Sequence, residues 1–303
     1  MTRKRKIQHY IPQFYLRAFS RNDKGRSQVF CFDKKTGAKF LAGINRIGAE
    51  SYFYDVAGRQ KAEEAFSELE GKMSSSYRNL LKSRDVTMLS KEDRIGIAVL
   101  IATQHMRTRG FRNIIREATE YILQQTRNLD TATGDQPLEQ IEEFAQEEPA
   151  KRLQFTLIAT SIPEFASLLL RMKWILFINE GEMPFWCSDN PFTYSNIFRY
   201  DKYDGLGFER LGSQTHFPLS PKLSLEIVDP VTYLGYPNII HIDDMNNVVF
   251  NNHLQVKNAQ RYIFSSTDDF SLAEEMIRKN PELSETDKNR FEIEKPKLHE
   301  RAR

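Results

Sequence analysis

Residues 95–102, Ile-Gly-Ile-Ala-Val-Leu-Ile-Ala, carry no polar side chain and sit inside a stretch of helical spacing. A helix that is apolar nearly all round has no face to give to water, so it must be covered on most sides. Ser90 is placed to cap its start, with Asp93 three residues on in a near capping box. Helical spacing continues past Ile122, with Gly110 as the expected break. Where the apolar run ends, the chain reads Thr103-Gln104-His105-Met106-Arg107-Thr108-Arg109. Gln104 and Arg107, three apart, share a face. A buried helix that finishes in Gln, His and Arg pushes polar groups into a cleft; the alternative is an exposed last turn that tolerates Arg107 and Arg109.

The flanks supply the cover. Gln28–Phe32, the turn Asp33–Gly37 and Lys39–Leu41 read as an N-terminal hairpin. Ser51–Asp55 is strand-like, and Lys61–Leu81 has helical spacing. Asn128–Pro137 is a polar loop, Leu138–Ala159 is helical again, and Ile162-Pro163 starts a further helix to Leu170. Lys173–Ile178 reads as a strand that turns at Asn179–Gly181 and returns along Pro184–Cys187. Leu223–Val228 is another strand. A helix capped by Asp243 or Asp244 runs to about Asn258, and its Asn246, Asn247, Asn251 and Asn252 are residues suited to recognising amides and bases. Arg261–Ser265 closes as a strand. The expected fold class is α+β: long central helices in a helical layer, packed with the N-terminal hairpin and a C-terminal mixed β-sheet. Residues 1–270 form one domain in this reading, and 271–303 a C-terminal helix and charged tail.

A net charge of +2 excludes a generally cationic chain, so nucleic-acid binding needs a local patch. Arg3, Lys4, Arg5, Lys6, Arg17, Arg21, Lys24, Arg26, Lys34 and Lys35 form one by sequence, opposed by Asp23 and Asp33; a solvated tail is the other reading. Cys31 and Cys187, flanked by aromatics, read as buried free thiols. The basic start is unlike a signal peptide, and the uninterrupted apolar runs are too short to cross a bilayer. The expectation is a cytoplasmic protein without a membrane partner.

Chemistry concentrates in Gln8-His9-Tyr10-Ile11-Pro12-Gln13-Phe14-Tyr15-Leu16-Arg17-Ala18-Phe19-Ser20. Pro12 suits the first position of a short helix. Phe14/Ala18 and Tyr15/Phe19 make its apolar stripe, and Gln13 and Arg17 fall together elsewhere. His9 precedes the positive helix end, where an anion could meet free N–H groups. A capping segment that plugs the core, with Arg17 in a structural ion pair, is the competing reading. This stretch resembles the opening signature of the domain-of-unknown-function 4238 family, bacterial proteins that begin His-Tyr-x-Pro-x-x-Tyr-Leu-Arg. Gln104-His105-Met106-Arg107-Thr108, Ser188-Asp189-Asn190-Pro191 and Phe217-Pro218-Leu219-Ser220-Pro221 extend the resemblance to about Tyr262. The family brings no activity with it; the resemblance implies which residues belong together.

There is no phosphate loop, dinucleotide fingerprint, paired-His metal spacing or nucleophile elbow. Glu70-Gly71-Lys72 has a metal-nuclease shape but falls within a helix. No metal and no cofactor are expected. The candidate catalytic residues are His9, Tyr15, Arg17 and Asp189; the candidate ligand-binding residues are Gln8, Gln104, Arg107, Ser188 and Asn190. Arg17 and Arg107 would clamp phosphate oxygens, His9 would move a proton, and Gln104 and Asn190 would read a base or amide edge. For Asp189, an Asx turn competes with an acid–base role. Three functions stand as expectations: metal-independent cleavage or transfer at a phosphodiester of RNA or DNA, in a bacterial anti-phage defence setting; a non-enzymatic nucleotide or nucleic-acid sensor; or a set of buried struts. A protein partner or a second copy stays open.

Overall fold

The computed structural model describes residues 7–23, 25–51, 61–129, 141–198 and 207–285. The first part of the chain forms β1 (Ile7–His9), α1 (Gln13–Phe19), β2 (Arg21–Asp23), β3 (Arg26–Asp33), β4 (Lys39–Gly43) and β5 (Ala49–Ser51). Among the described residues four long helices come next: α2 (Lys61–Ser83), α3 (Lys91–Met106), α4 (Arg109–Leu129) and α5 (Glu147–Arg171). Then come β6 (Lys173–Asn179), β7 (Cys187–Ser188), β8 (Thr193–Asn196), β9 (Ser213–Ser220), β10 (Leu223–Val228) and β11 (Ile239–Ile242). The last elements are α6 (Met245–Asn258), β12 (Tyr262–Ser265) and α7 (Ser271–Lys279). The fold is α+β, as its sequence implies.

One sheet has the order β11-β6-β10-β9-β8 and is mixed, because β11 runs parallel to β6 at its edge. A second joins β2-β3-β12-β7, with β4 also on β3; β1 and β5 pair by themselves. The hairpin β3–β4 is therefore not a separate unit, since β12 from the far end of the chain pairs with β3. Leu16, Phe19, Ile97, Leu100, Ile101, Leu176, Phe217, Leu225 and Phe264 share one buried core drawn from helices and both large sheets. Cys31 and Cys187 are buried free thiols.

Several boundaries differ from the sequence expectation. The central helix stops at Met106; Arg107 caps its end, and the Thr108 hydroxyl accepts from Phe111 N at 3.2 Å to start α4. Gly110 is not the break. It lies in the first turn of α4, where a Cβ would come 2.6 Å from Asn190 Nδ2, so its smallness permits close approach to the Ser188–Asn190 turn. The apolar face of α3 is not wholly covered: Ile95 is 41% exposed, and with Val99, Phe155 and Ile162 it lines an apolar cavity of about 580 Å³.

Helix α5 is continuous, with Pro163 inside it and no second start at Ile162-Pro163. By length and composition it is apolar enough to cross a bilayer, at a mean hydropathy of 1.4, although no uninterrupted apolar run is; it packs against α3 and α4. Pro184–Cys187 does not return on β6. Instead β10 takes that place, and Cys187–Ser188 pairs with β12. The Asn-rich helix explains the change. Asn252 accepts from Trp186 N at 2.8 Å and donates to Pro184 O at 2.9 Å, Gln255 donates to Pro191 O at 2.8 Å, and Asn258 donates to Phe192 O at 2.7 Å. Pro184 and Pro191 lack the N–H that a strand ladder needs, so side chains of α6 serve as the partner. Asn251 and Asn252 are buried and read no external base. Tyr52–Asp55, most of the Asn128–Pro137 loop, Arg3–Lys6, Lys24 and the tail after Glu285 lie outside the described residues.

Candidate functional site

The helix α1 begins just after Pro12, which stands at its N-cap; Pro12 O accepts from Tyr15 N and Leu16 N. This turn points the Tyr10 carbonyl at the junction between α3 and α4. Gln104 Nε2 donates to Tyr10 O at 3.1 Å, and Arg107 Nε donates to the same oxygen at 2.5 Å. Arg107 is 1% exposed, and its Nη1 reaches Glu70 Oε1 at 2.9 Å. A carbonyl with two lone pairs, one of them met by a charged donor, is a strong anchor in a low-dielectric interior. Arg107 Nη2 and Gln104 Oε1 have no hydrogen-bond partner among the described residues, so the cluster retains spare polar capacity.

The other segments arrive at the same place. Tyr10 and Asp189 line one cavity, and the charge of Asp189, after burial, helps hold the Tyr10 phenol well above its ordinary value. The expected meeting of three distant segments is thus present, centred on Tyr10 rather than on His9. His9 is half-buried on β1, with Nε2 3.4 Å from Gln13 Nε2. Burial lowers its pKa, Asn45 and Glu70 oppose that, and Arg107 adds to it.

Most of the candidate residues end on backbone. Tyr15 is fully buried and donates to Pro218 O at 2.6 Å; Tyr77 donates to the neighbouring Leu219 O. Burial pushes both phenols far above the ordinary range. Asp189 accepts from the N–H groups of Gln260, Arg261 and Tyr262 at 2.8, 2.7 and 2.9 Å. Burial raises its carboxyl against the pull of those donors and of Lys34. The Ser188 hydroxyl donates to Gln255 Oε1 at 2.8 Å, and the Asn190 amide donates to Asn258 O at 3.2 Å. Gln8 stands opposite Glu50 in the β1–β5 ladder. The forked clamp expected of Arg17 and Arg107 is not assembled, because Arg17 is exposed while Arg107 is turned inward to Tyr10 and Glu70. Tyr15 braces a strand, and Asp189, although it lines the cavity with Tyr10, has both carboxylate oxygens committed to backbone.

Beside this knot lies a cavity of about 590 Å³ that gathers residues the sequence did not group together. Lys35, Arg46, Arg109 and Arg261 line it with Tyr10, Tyr262, Glu50 and Asp189. Arg109 pairs with Glu50 at 2.8 Å, and Arg261 pairs with Asp33 at 2.8 Å while its guanidinium lies 4.9 Å from the Tyr262 ring. Lys35 and Arg46 are exposed and form no ion pair among the described residues. The basic N-terminal patch is thereby redrawn. Lys34 leaves it, buried and donating to Val256 O at 2.6 Å and Ala259 O at 2.8 Å, whereas Lys35 stays.

A second cavity, about 390 Å³, lies on the other side of the Ser188–Asn190 turn, lined by Asn190, His105, Phe111, Phe192, Phe208 and Lys257 among others. Burial among the rings of Phe111, Phe165, Phe192 and Phe208 pushes His105 down to about 4. Among the described residues no group of three or more His, Cys, Asp or Glu is arranged to hold a metal ion.

Comparison with curated proteins and with solved structures finds no significant match. The family model described as a protein of unknown function, DUF4238, matches residues 7–269, and the segments it spans include all those that meet around Tyr10: the chain belongs to the DUF4238 family.

Proposed function

We propose that the cavity beside Tyr10 is a non-enzymatic binding site for a phosphate-bearing ligand, a nucleotide or a segment of nucleic acid. The observation that carries this reading is the lining of that cavity: four cationic side chains, two of them without an acidic partner among the described residues, around two tyrosines. Cations answer the phosphate, and an aromatic face answers a base. The reading favours binding over phosphodiester cleavage because the groups that would move protons are placed elsewhere or are already committed to backbone. His9 does not line the cavity, Tyr15 is spent on Pro218 O, and Asp189 is spent on three backbone N–H groups.

The test is fluorescence anisotropy with a labelled single-stranded RNA, competed by ATP, GTP and inorganic phosphate, in EDTA and over a salt series. Binding that weakens steeply with salt, and about tenfold or more in Lys35→Glu/Arg46→Glu, supports the module. Binding unaffected by the double reversal rejects the cavity. Cleavage of the RNA during the assay would restore the nuclease reading.

A further inference from the structure

Ser195, His216 and Glu226 come together on three adjacent strands, on the sheet face that turns away from the main core. The register makes this array. His216 of β9 stands directly opposite Glu226 of β10, and Gln214, two residues back on the same face, stands opposite Ser195 of the edge strand β8. Ser195 Oγ is 2.7 Å from His216 Nε2. His216 Nδ1 lies against Glu226 Oε2 as a close ion-pair contact outside hydrogen-bond geometry, and neither atom has a hydrogen-bond partner among the described residues. The other Glu226 oxygen accepts from Ser224 Oγ at 2.9 Å. His216 and Glu226 are each 3% exposed, whereas Ser195 is half-buried on the edge.

The ring nitrogens are therefore used in a fixed sense. A carboxylate only accepts, so Nδ1 carries the proton and Nε2 is left bare to accept from Ser195. The Ser195 hydroxyl has one proton to give; His216 Nε2 is nearer than the alternative acceptor, Gln214 Oε1 at 3.1 Å. Nucleophile, base and orienting carboxylate in this order are the geometry of covalent acyl transfer, recognised by roles and not by sequence position. We propose that Ser195 is the nucleophile of an esterase or thioesterase site, with His216 as its general base and Glu226 as a positioning residue. Phe250, 45% exposed, lies edge-on to the His216 ring at 5.5 Å, and Ile197, 52% exposed, lies two residues along from Ser195. Such surroundings suit an apolar acyl group. The site shares no residue with the basic cavity and does not depend on it.

In the first step Ser195 Oγ bonds to the acyl carbon, its proton passes to His216 Nε2, and the carbonyl π pair moves onto oxygen. That pair returns as the bond to the alcohol or thiol breaks, and His216 gives the leaving atom its proton. Water then repeats the sequence on the acyl-serine, which releases a carboxylic acid and restores the hydroxyl.

The full-length protein is incubated with an alkyl fluorophosphonate, which exchanges its P–F bond for an Oγ–P bond with loss of HF, and the adduct is read by intact mass and peptide mapping. The expected result is one adduct, on Ser195, absent from Ser195→Ala. p-Nitrophenyl butyrate should give a burst of one equivalent that Ser195→Ala lacks. Glu226→Gln, whose amide would donate to Nδ1 and reverse the tautomer, should slow labelling by roughly 10³–10⁴-fold. In wild-type protein, histidine ¹⁵N spectra should show His216 protonated at Nδ1 and bare at Nε2, a signature that holds even if Glu226→Gln fails to fold. No adduct on Ser195 after prolonged exposure to millimolar probe overturns the proposal. So does an adduct spread over other serines, labelling unaffected in a folded Glu226→Gln protein, or the opposite His216 tautomer.

Discussion

Around the Tyr10 carbonyl, polar side chains end on backbone; between β8, β9 and β10 they end on one another. Gln104 and Arg107 hold Tyr10 O, Tyr15 holds Pro218 O, and Asp189 holds three successive N–H groups. Each bond ties one chain segment to another far away in sequence. The Ser195–His216–Glu226 array ties little together that the strand ladder does not already join. A side chain committed to backbone cannot change partners without moving the chain, whereas a row of hydroxyl, imidazole and carboxylate can pass a proton with the chain at rest. The motif-rich region is built to position, and the motif-free one is built to react.

The largest effect tests the first half of this contrast. Arg107→Met should cost about 3–5 kcal/mol, the range for removing one partner of a buried charged network, because Tyr10 O loses its charged donor and Glu70 its cation. Urea unfolding measures it. A loss below about 1 kcal/mol would mean that Arg107 is held for a ligand and not for the fold.

Next in size is a pH effect at His105, which sits between the two regions and ends on neither. Its folded pKa is about 4 against an ordinary 6.5, so the unfolded chain takes up the proton first. Above about pH 6.5 the group contributes nothing to the pH dependence. Stability should fall as pH drops from 6.5 to about 4, by about 3 kcal/mol, and level off below. Burial lowers His9 in the same direction and adds to the slope. His105→Leu should remove the larger part of it. A wild-type stability that is flat across that window would show His105 to be solvated.

Tyr15→Phe should come third, at about 1–2 kcal/mol, because Pro218 O is left buried without its donor while the ring still packs on Phe19 and Phe217. An unchanged melting temperature would free the phenol for another role.

The same division separates the features that could be foreseen in this chain from those that could not. Signals carried by neighbours in sequence were legible: the Ser90 cap, a cap at Asp243 or Asp244 that falls on Asp244, the Gly37 turn at positive φ, and the α+β class. Decisions taken across the fold were not. Nothing local stops α3 at Met106; Arg107 leaves the helix because Tyr10 O and Glu70 are waiting, and Thr108 can cap the start of α4. Lys34 looks like its neighbour Lys35 until α6 offers it two carbonyls. The resemblance grouped the residues around Tyr10 but could not say that most of them face backbone. Ser195, His216 and Glu226 belong to no short pattern, and only strand register aligns them.

The smallest expected change is the one that separates the two regions most sharply. Ser195→Ala removes a half-buried hydroxyl from an edge strand, and β8 keeps its ladder with β9. His216 Nε2 loses a donor, but the space the hydroxyl leaves lies on the half-buried edge strand, where a water can take its place, so the change in unfolding free energy should stay within about 0.5 kcal/mol. A strut removed from the Tyr10 region is felt in stability because no water reaches the carbonyl it leaves behind. If Ser195→Ala instead cost as much as Tyr15→Phe, the array would be one more brace, and the difference drawn between the two regions would disappear.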